Sequence, residues 1–398
     1  MEAPAKLPAR LEKLSPMKRI SGMKAKPFRL VTIVGARPQF VKAAVISRAV
    51  AGHNQSPAGR PVEEILIHTG QHYDRALSRV FFEQLEIPSP RYHLDVGSGP
   101  HGVQTGAMMA RLEPLLGHLR PDAVLVHGDT NSTLAGALTA AKLGLPVAHG
   151  EAGLRSFNRR MPEEINRVIT DHLSTWLFCP TVAAVANLGG EGLLQGVRQV
   201  GDVMYDAYLW NRSRAREYSR ILEILGLRRG RFALATLHRP ENTDDPGKLR
   251  TLFSTLSRIA AERFPVVLPL HPRTRKAWDE LRPRGSSDPS LFLTTPVTYF
   301  DMLVLTSAAR IVLTDSGGLQ KEAYFAGTPC LILREETEWT ETVEAGRNFL
   351  VGADPVRIGA ALDKALALKG KGSTSRLYGK GDAGLRIIQI LSGGRKGL

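Results

Sequence analysis

The stretch Pro121–Gly153, PDAVLVHGDTNSTLAGALTAAKLGLPVAHGEAG, holds two short apolar runs separated by a segment of helix formers. AVLVH has the aliphatic and β-branched character of a strand buried on both faces, and it stops at Gly128 and Asp129. NSTLAGALTAAKLG is rich in alanine and leucine and suits a helix, while LPVAHG is a second buried strand stopping at Glu151. A helix-length connection between two such strands brings the chain back to the same end of the sheet, so the strands run parallel. The pattern predicts a β-α-β unit of a doubly wound sheet, whose strand carboxyl ends line the ligand crevice. Asp129 and Glu151 stand at those ends.

The alternation extends outward in both directions. FRLVTIVGARP and EEILIHTGQ precede the stretch and TWLFCPT follows it; the pattern restarts with RFALATLHRP, FPVVLPLHPRT, LFLTTPV, ARIVLTDSGG and TPCLILREE. Two Rossmann-like α/β domains with doubly wound parallel sheets are expected, their strand ends facing a central cleft. The expected boundaries are a basic, disordered extension over residues 1–28, a first domain over 29–203, a second over 204–379, and a last helix within 380–398. Local pattern does not say whether that helix returns to the first domain. Met23, just ahead of the first strand, is a candidate start of the native chain.

At 398 residues, with 43% hydrophobic residues and with its 38 glycines and 25 prolines spread between apolar runs, the chain has the composition of a multi-domain globular protein. The formal charge of +15 raises the question of nucleic acid, but Lys6, Arg10, Lys13, Lys18, Arg19, Lys24, Lys26 and Arg29 concentrate part of it in the stretch from Met1 to Arg29. No specific nucleic-acid partner is expected. Cys179 and Cys330 sit in or beside apolar runs and suit small core residues, giving neither a disulfide framework nor a metal cluster. No apolar run reaches the ~18 residues of a membrane helix, and the extension lacks the apolar core of a signal peptide. The expected location is the cytoplasm, with no membrane partner.

Chemistry concentrates at strand ends. Pro162 opens a helix with Glu163 and Glu164 in its first turn, so Asp129, Glu151 and Glu163 converge with Arg155, Arg159, Arg160 and Arg167 nearby, which suits proton transfer on an anionic substrate. Asp129 also suits a cap of the helix near Asn131, and Glu163 suits a helix N-terminus electrostatically. Glu151, in a Gly-Glu-Ala-Gly turn, has no helix to cap. VGARPQFVK places Arg37 and Lys42 at the opening of the first helix, where cations meet phosphate or simply face solvent. ARIVLTDSGGLQKEA delivers Asp315, Ser316, Gly317 and Gly318 onto a helix beginning near Leu319, a geometry for a diphosphate or an ordinary capped turn, with Glu322 one turn on, placed to accept from ribose hydroxyls. TLHRPEN and PLHPRT set His238 with Arg239 and His271 with Arg273 at strand ends as a cationic rim, His238 being the better candidate for phosphate or leaving group. His68, His72, His127 and His149 show no metal-ligand spacing, and no metal is assigned.

GARPQFVK, HTGQHYD, the run from His127 to Leu173, VGDVMYDA, LHRPEN, PLHPRTR and LTDSGGLQKEA together resemble, in order, the non-hydrolysing UDP-N-acetylglucosamine 2-epimerases. The resemblance implies two Rossmann-like domains in the B-type glycosyltransferase arrangement and a homodimer that interconverts UDP-N-acetylglucosamine and UDP-N-acetylmannosamine without metal, nicotinamide or other cofactor. The implied route is anti elimination of UDP to a 2-acetamidoglucal and readdition, supplying cell-surface polysaccharide synthesis. By motif, acid/base carboxylates fall on Asp129, Glu151 and Glu163, the essential histidine on His238, and uridine-diphosphate contacts on Arg37, Lys42, Ser316, Gly318 and Glu322. Trp339, Val297, Met302 and Tyr73 depart from the pattern, the first three around the nucleotide. The alternatives are an epimerase of a UDP-diacetamido uronic acid and a glycosyltransferase of the same fold.

Overall fold

The sequence FRLVTIV forms the central strand of the first sheet because nearly every side chain of Phe28–Val34 is buried. The computed structural model describes residues 26–56, 59–71, 84–270, 272–281, 290–368 and 377–393. Its first strands are β1 (Phe28–Val34), β2 (Val62–His68), β3 (Tyr92–His93), β4 (Ala123–His127), β5 (Val147–Gly150), β6 (Trp176–Cys179) and β7 (Val197–Gln199). They make one sheet in the order β3-β2-β1-β4-β5-β6-β7, every pair parallel. A second sheet uses β8 (Ala233–Thr236), β9 (Val266–Pro269), β10 (Leu291–Thr294), β11 (Ile311–Thr314), β12 (Cys330–Ile332) and β13 (Asn348–Leu350), in the order β10-β9-β8-β11-β12-β13, again all parallel. In each sheet the strand order reverses beside the central strand, at β1/β4 and at β8/β11. Those two reversals are the places where an open α/β sheet takes a ligand.

The chain divides into two units, the first running to Ala207 and resuming at Gly379, the second spanning Tyr208–Tyr378. The last helix, Ala383–Ser392, belongs to the first unit and packs on the helix Arg37–Gln55. Close approach there depends on Gly384, where a Cβ would stand 2.6 Å from Val45 Cγ1. The Gly384 N–H donates to Asp206 Oδ2 at 2.9 Å, which ties the helix start to the stretch where the chain leaves the unit.

The expected extension over residues 1–28 is too long at its end: Phe28 is already the first residue of β1, because its ring is 4% exposed and its backbone pairs with Val62. Residues 1–25, Met23 among them, lie outside the described residues, as do His72, Tyr73 and His271. Cys179 and Cys330 are fully buried in β6 and β12, and burial pushes both thiols up, Cys179 to about 12. No helix among the described residues is long and apolar enough to cross a membrane.

Candidate active site

In the first unit the apolar strand β4 ends at His127, and Gly128 turns the chain with φ +68°. Thr130, not Asp129, caps the helix Asn131–Lys142, its hydroxyl accepting from the Thr133 N–H. The capping alternative for Asp129 is thereby corrected, and its carboxylate instead meets Arg167 Nη2. Arg167 Nη1 donates to Glu164 Oε2 at 2.6 Å, so one guanidinium bridges the β4 turn and the helix Pro162–Leu173. Of the two glutamates in that helix's first turn, Glu164 is buried and accepts from the Ser156 and Phe157 N–H groups at 2.9 Å each. Glu163 is half-buried.

β5 ends at Gly150, and Glu151 follows in the left-handed region at φ +70°. An L-residue other than glycine, asparagine or aspartate is uncommon there, so the position is strained. Glu151 Oε2 forms a buried ion pair with Lys42 Nζ. Lys42 thus lies a turn inside the helix Arg37–Gln55 and faces a carboxylate, which corrects its expected place at the helix opening. Gly128 makes room for this pair: a Cβ there would come within 3.1 Å of Lys42 Nζ and 3.4 Å of Glu151 Oε2. His127 lies fully buried nearby with no hydrogen-bond partner on either ring nitrogen among the described residues; burial and the Lys42 ammonium lower its pKa to about 3, leaving a neutral ring.

The four arginines of the sequence pattern separate. Arg155 is buried and bonded to Asp171 and Glu191, Arg159 and Arg160 are exposed, and Arg167 reaches Asp129. Arg37 begins its helix and Arg273 lies in Pro272–Leu281. Sequence reasoning missed Gln39, whose side chain accepts from the Gly35 and Ala36 N–H groups at 2.8 and 3.0 Å and donates to the His127 carbonyl at 2.9 Å. It stitches the β1 turn to the β4 turn. The signal was present, since Gln39 stands where a capping-box residue would, two after Arg37.

In the second unit β8 and β11 are neighbours, and Asp315 at the end of β11 crosses to the β8 turn. Its carboxylate accepts from the His238 N–H at 3.0 Å and the Arg239 N–H at 3.0 Å, and meets His238 Nδ1 at 2.8 Å. Burial pushes the Asp315 carboxyl up, but the His238 charge, its ring hydrogen bond and these backbone donors outweigh it and hold the pKa below the usual range. With Nδ1 committed, the half-exposed His238 ring keeps Nε2 for another partner. The helix Gly317–Ala326 starts two residues earlier than its expected opening near Leu319, because the Ser316 hydroxyl caps it by accepting from the Leu319 N–H. No described atom lies within 4 Å of a Cβ built on Gly318, and on Gly317 such a Cβ would meet nothing closer than 3.7 Å, at Trp339 Nε1. Packing does not require glycine at either position, so the pair leaves a helix start bare. Glu322 is buried on the same helix, and burial pushes it up to about 7 against the Tyr299 hydroxyl and the Lys321 ammonium. Trp339, the first departure from the motif pattern, is buried with Lys321 Nζ 3.8 Å from its ring centroid.

A family model of UDP-N-acetylglucosamine 2-epimerase matches residues 57–392. The chain belongs to that family. It is therefore similar to isomerases over that span. The UDP-N-acetylglucosamine 2-epimerase of Methanocaldococcus jannaschii is 40% identical over 374 residues, covering 92% of this chain and all of that one. A crystal structure of that epimerase in complex with UDP-GlcNAc and UDP superposes with a TM-score of 0.84, covering 92% of this chain and 100% of the other. The UDP-2,3-diacetamido-2,3-dideoxy-D-glucuronate 2-epimerase of Pseudomonas aeruginosa is 46% identical over 369 residues, covering 92% of this chain and 99% of its own. Among the described residues of this epimerase-family chain, no group of three or more His, Cys, Asp or Glu is placed to hold a metal ion.

Proposed function

We propose that this chain interconverts UDP-N-acetylglucosamine and UDP-N-acetylmannosamine at C2 by eliminating and readding UDP. The observation that carries the reading is Glu151, a carboxylate held at positive φ beside a buried ammonium at a strand carboxyl end, in a member of this family. The C2 hydrogen of such a sugar has no adjacent carbonyl, so its removal alone would leave an unstabilised carbanion. Anti elimination avoids this: a base takes the C2 proton while the C1–O bond to UDP breaks, giving a 2-acetamidoglucal. Delivery of a proton to the other face of C2 and readdition of UDP at C1 complete the inversion. The cycle is redox-neutral and requires no hydride carrier.

Each unit carries equipment for one half of this reaction. In the first, Glu151 and Glu163 move the C2 proton and Asp129 supports them, with Lys42 as counter-charge to Glu151 rather than an open phosphate ligand. In the second, the bare helix start at Gly317 and Gly318 offers N–H groups to a diphosphate, and His238 through Nε2, Arg239 and Arg273 add donors for the leaving group. Ser316, Glu322 and, from the first unit, Arg37 complete the proposed UDP-sugar contacts. A homodimer in the cytoplasm, feeding cell-surface polysaccharide synthesis, accords with this reading.

The 46% identity to the diacetamidoglucuronate epimerase favours a second substrate of the same class, a UDP-2,3-diacetamido uronic acid, with the same C2 chemistry. NMR in heavy water with each nucleotide sugar tests both readings. Deuterium at C2 together with the C2 epimer is expected for the true substrate, and Glu151→Gln is expected to lower that exchange by about 10²–10⁴-fold. Full exchange in the variant removes Glu151 from the mechanism, and no exchange with either sugar in the native chain overturns the proposal.

A further inference from the structure

Asp171 lies on the helix Pro162–Leu173, which begins with Glu163, and is 1% exposed. Its two carboxylate oxygens go to two different turns. Oδ1 is 2.7 Å from His149 Nδ1, and His149 Nε2 is 2.8 Å from the carbonyl oxygen of Gly128. Oδ2 accepts from the Gly153 N–H at 3.1 Å and from Arg155 Nη1 at 2.7 Å. Gly128 immediately precedes Asp129, and Gly153 closes the turn that Glu151 opens. One side chain therefore holds both turns that present the candidate acids, from the helix that presents the third.

A carbonyl oxygen accepts and cannot donate, so His149 Nε2 carries the hydrogen that meets Gly128. Burial pushes the Asp171 carboxyl up, but His149 and Arg155 beside it outweigh burial and hold its pKa below the usual carboxylate range. Arg155 is balanced in turn by Glu191, which takes Nε at 2.6 Å and Nη2 at 2.8 Å. A buried chain of hydrogen bonds thus runs from Glu191 through Arg155, Asp171 and His149 to the Gly128 carbonyl, with His149 and the Arg155 and Asp171 side chains at most 1% exposed.

We infer that Asp171, acting through His149 and the Gly153 N–H, is the positioning residue that sets Asp129 and Glu151 in register for proton transfer. The inference rests on the epimerase reading of those acids. Both turns need an anchor, since Gly128 and Glu151 stand at φ +68° and +70° and Gly153 at +80°. Gly153 is also wedged so closely that a Cβ would lie 2.2 Å from the Ala184 carbonyl oxygen. A misplacement of about 1 Å at such a site costs on the order of 10²-fold in rate.

The test uses Asp171→Asn in the full chain, with His149→Gln as companion. For folded protein, kcat for C2 epimerisation is expected to fall about 100-fold while KM stays within about threefold, because the interaction lost is not one made to the bound ground state. In the unmutated chain the His149 Nε2–H is expected to appear in NMR spectra as a slowly exchanging, hydrogen-bonded proton, and in Asp171→Asn to exchange with solvent. Should Asp171→Asn not fold, His149→Gln decides on the same kcat and KM split. A folded Asp171→Asn with native kcat, or a His149 Nε2–H that exchanges freely in the unmutated chain, overturns the inference. Absence of C2 exchange in the unmutated chain sinks the epimerase reading instead, and the Nε2–H exchange, which needs no substrate, then decides alone whether Asp171 anchors the Gly128 turn through His149.

Discussion

Glu151 combines two costs that a structural residue would avoid: a backbone in the left-handed region, worth roughly 1–2 kcal/mol for an L-residue, and a carboxylate 5% exposed with Lys42 as its ion-pair partner. Removing one partner of a buried pair strands the other and costs about 3–5 kcal/mol, whereas replacing both by apolar or neutral groups is close to neutral. Chemical denaturation is therefore expected to show Glu151→Gln destabilised by about that much and the double variant Lys42→Met, Glu151→Gln recovering most of the loss. Both variants should exchange the C2 hydrogen about 10²–10⁴-fold more slowly than the native chain. Recovery of exchange along with stability would make the pair structural. The acids themselves were legible in the sequence, because an apolar run that ends at Asp129 or Glu151 marks a strand terminus. Their partners were not, since whether Lys42 or Arg155 faces a carboxylate depends on how helices seat against the sheet, and the pattern treated all nearby cations alike.

At the scale of elements, the strands with apolar runs and the helices between them were readable, including the three-residue β12 in TPCLILREE, whereas β3 and β13, with two and three residues and shorter apolar runs around them, were not. The start of Gly317–Ala326 was misjudged by two residues because two glycines disguise a helix that the Ser316 cap begins. The destination of Ala383–Ser392 was closed to local pattern, being set by Gly384 fitting against Val45 and by Asp206. Burial pushes the Asp206 carboxyl up to about 6, with Asp202 and Asp382 adding to it against the N–H groups of Gly384 and Ala383. A folded pKa above the unfolded one means that the folded state holds the proton more tightly. This stabilising contribution is full below about pH 4 and is lost as pH rises through about 6. Asp206→Asn is expected to be more stable than the native chain at pH 7.5 by roughly 1–2 kcal/mol and to lose that advantage near pH 4, each pKa unit being about 1.4 kcal/mol before solvent screening. Thermal melts at the two pH values check it; equal differences at both would exclude Asp206 as the titrating group.

For the molecule as a whole, two sheets of matching strand order place one switch point in each unit. The existence of two sheets was legible because the β-α alternation stops and restarts near Tyr205. A multi-unit chain need not unfold in one step, and a ligand stabilises the unit it binds, by about 2.7 kcal/mol at 100 times its Kd. UDP is accordingly expected to raise hydrogen-exchange protection first across Gly317–Ala326 and the β8 and β11 ends. Protection gained only in the first unit would move the nucleotide site away from the glycine pair.

The second unit is one continuous segment, Tyr208–Tyr378, while the first is interrupted by it and regains the chain at Gly379. On the ribosome, which emits the chain from its N-terminus, the inserted unit is complete while the host unit still lacks the helix that covers Arg37–Gln55. The unit begun first is thus finished last, and until Ala383–Ser392 emerges its apolar face at Val45 stands uncovered.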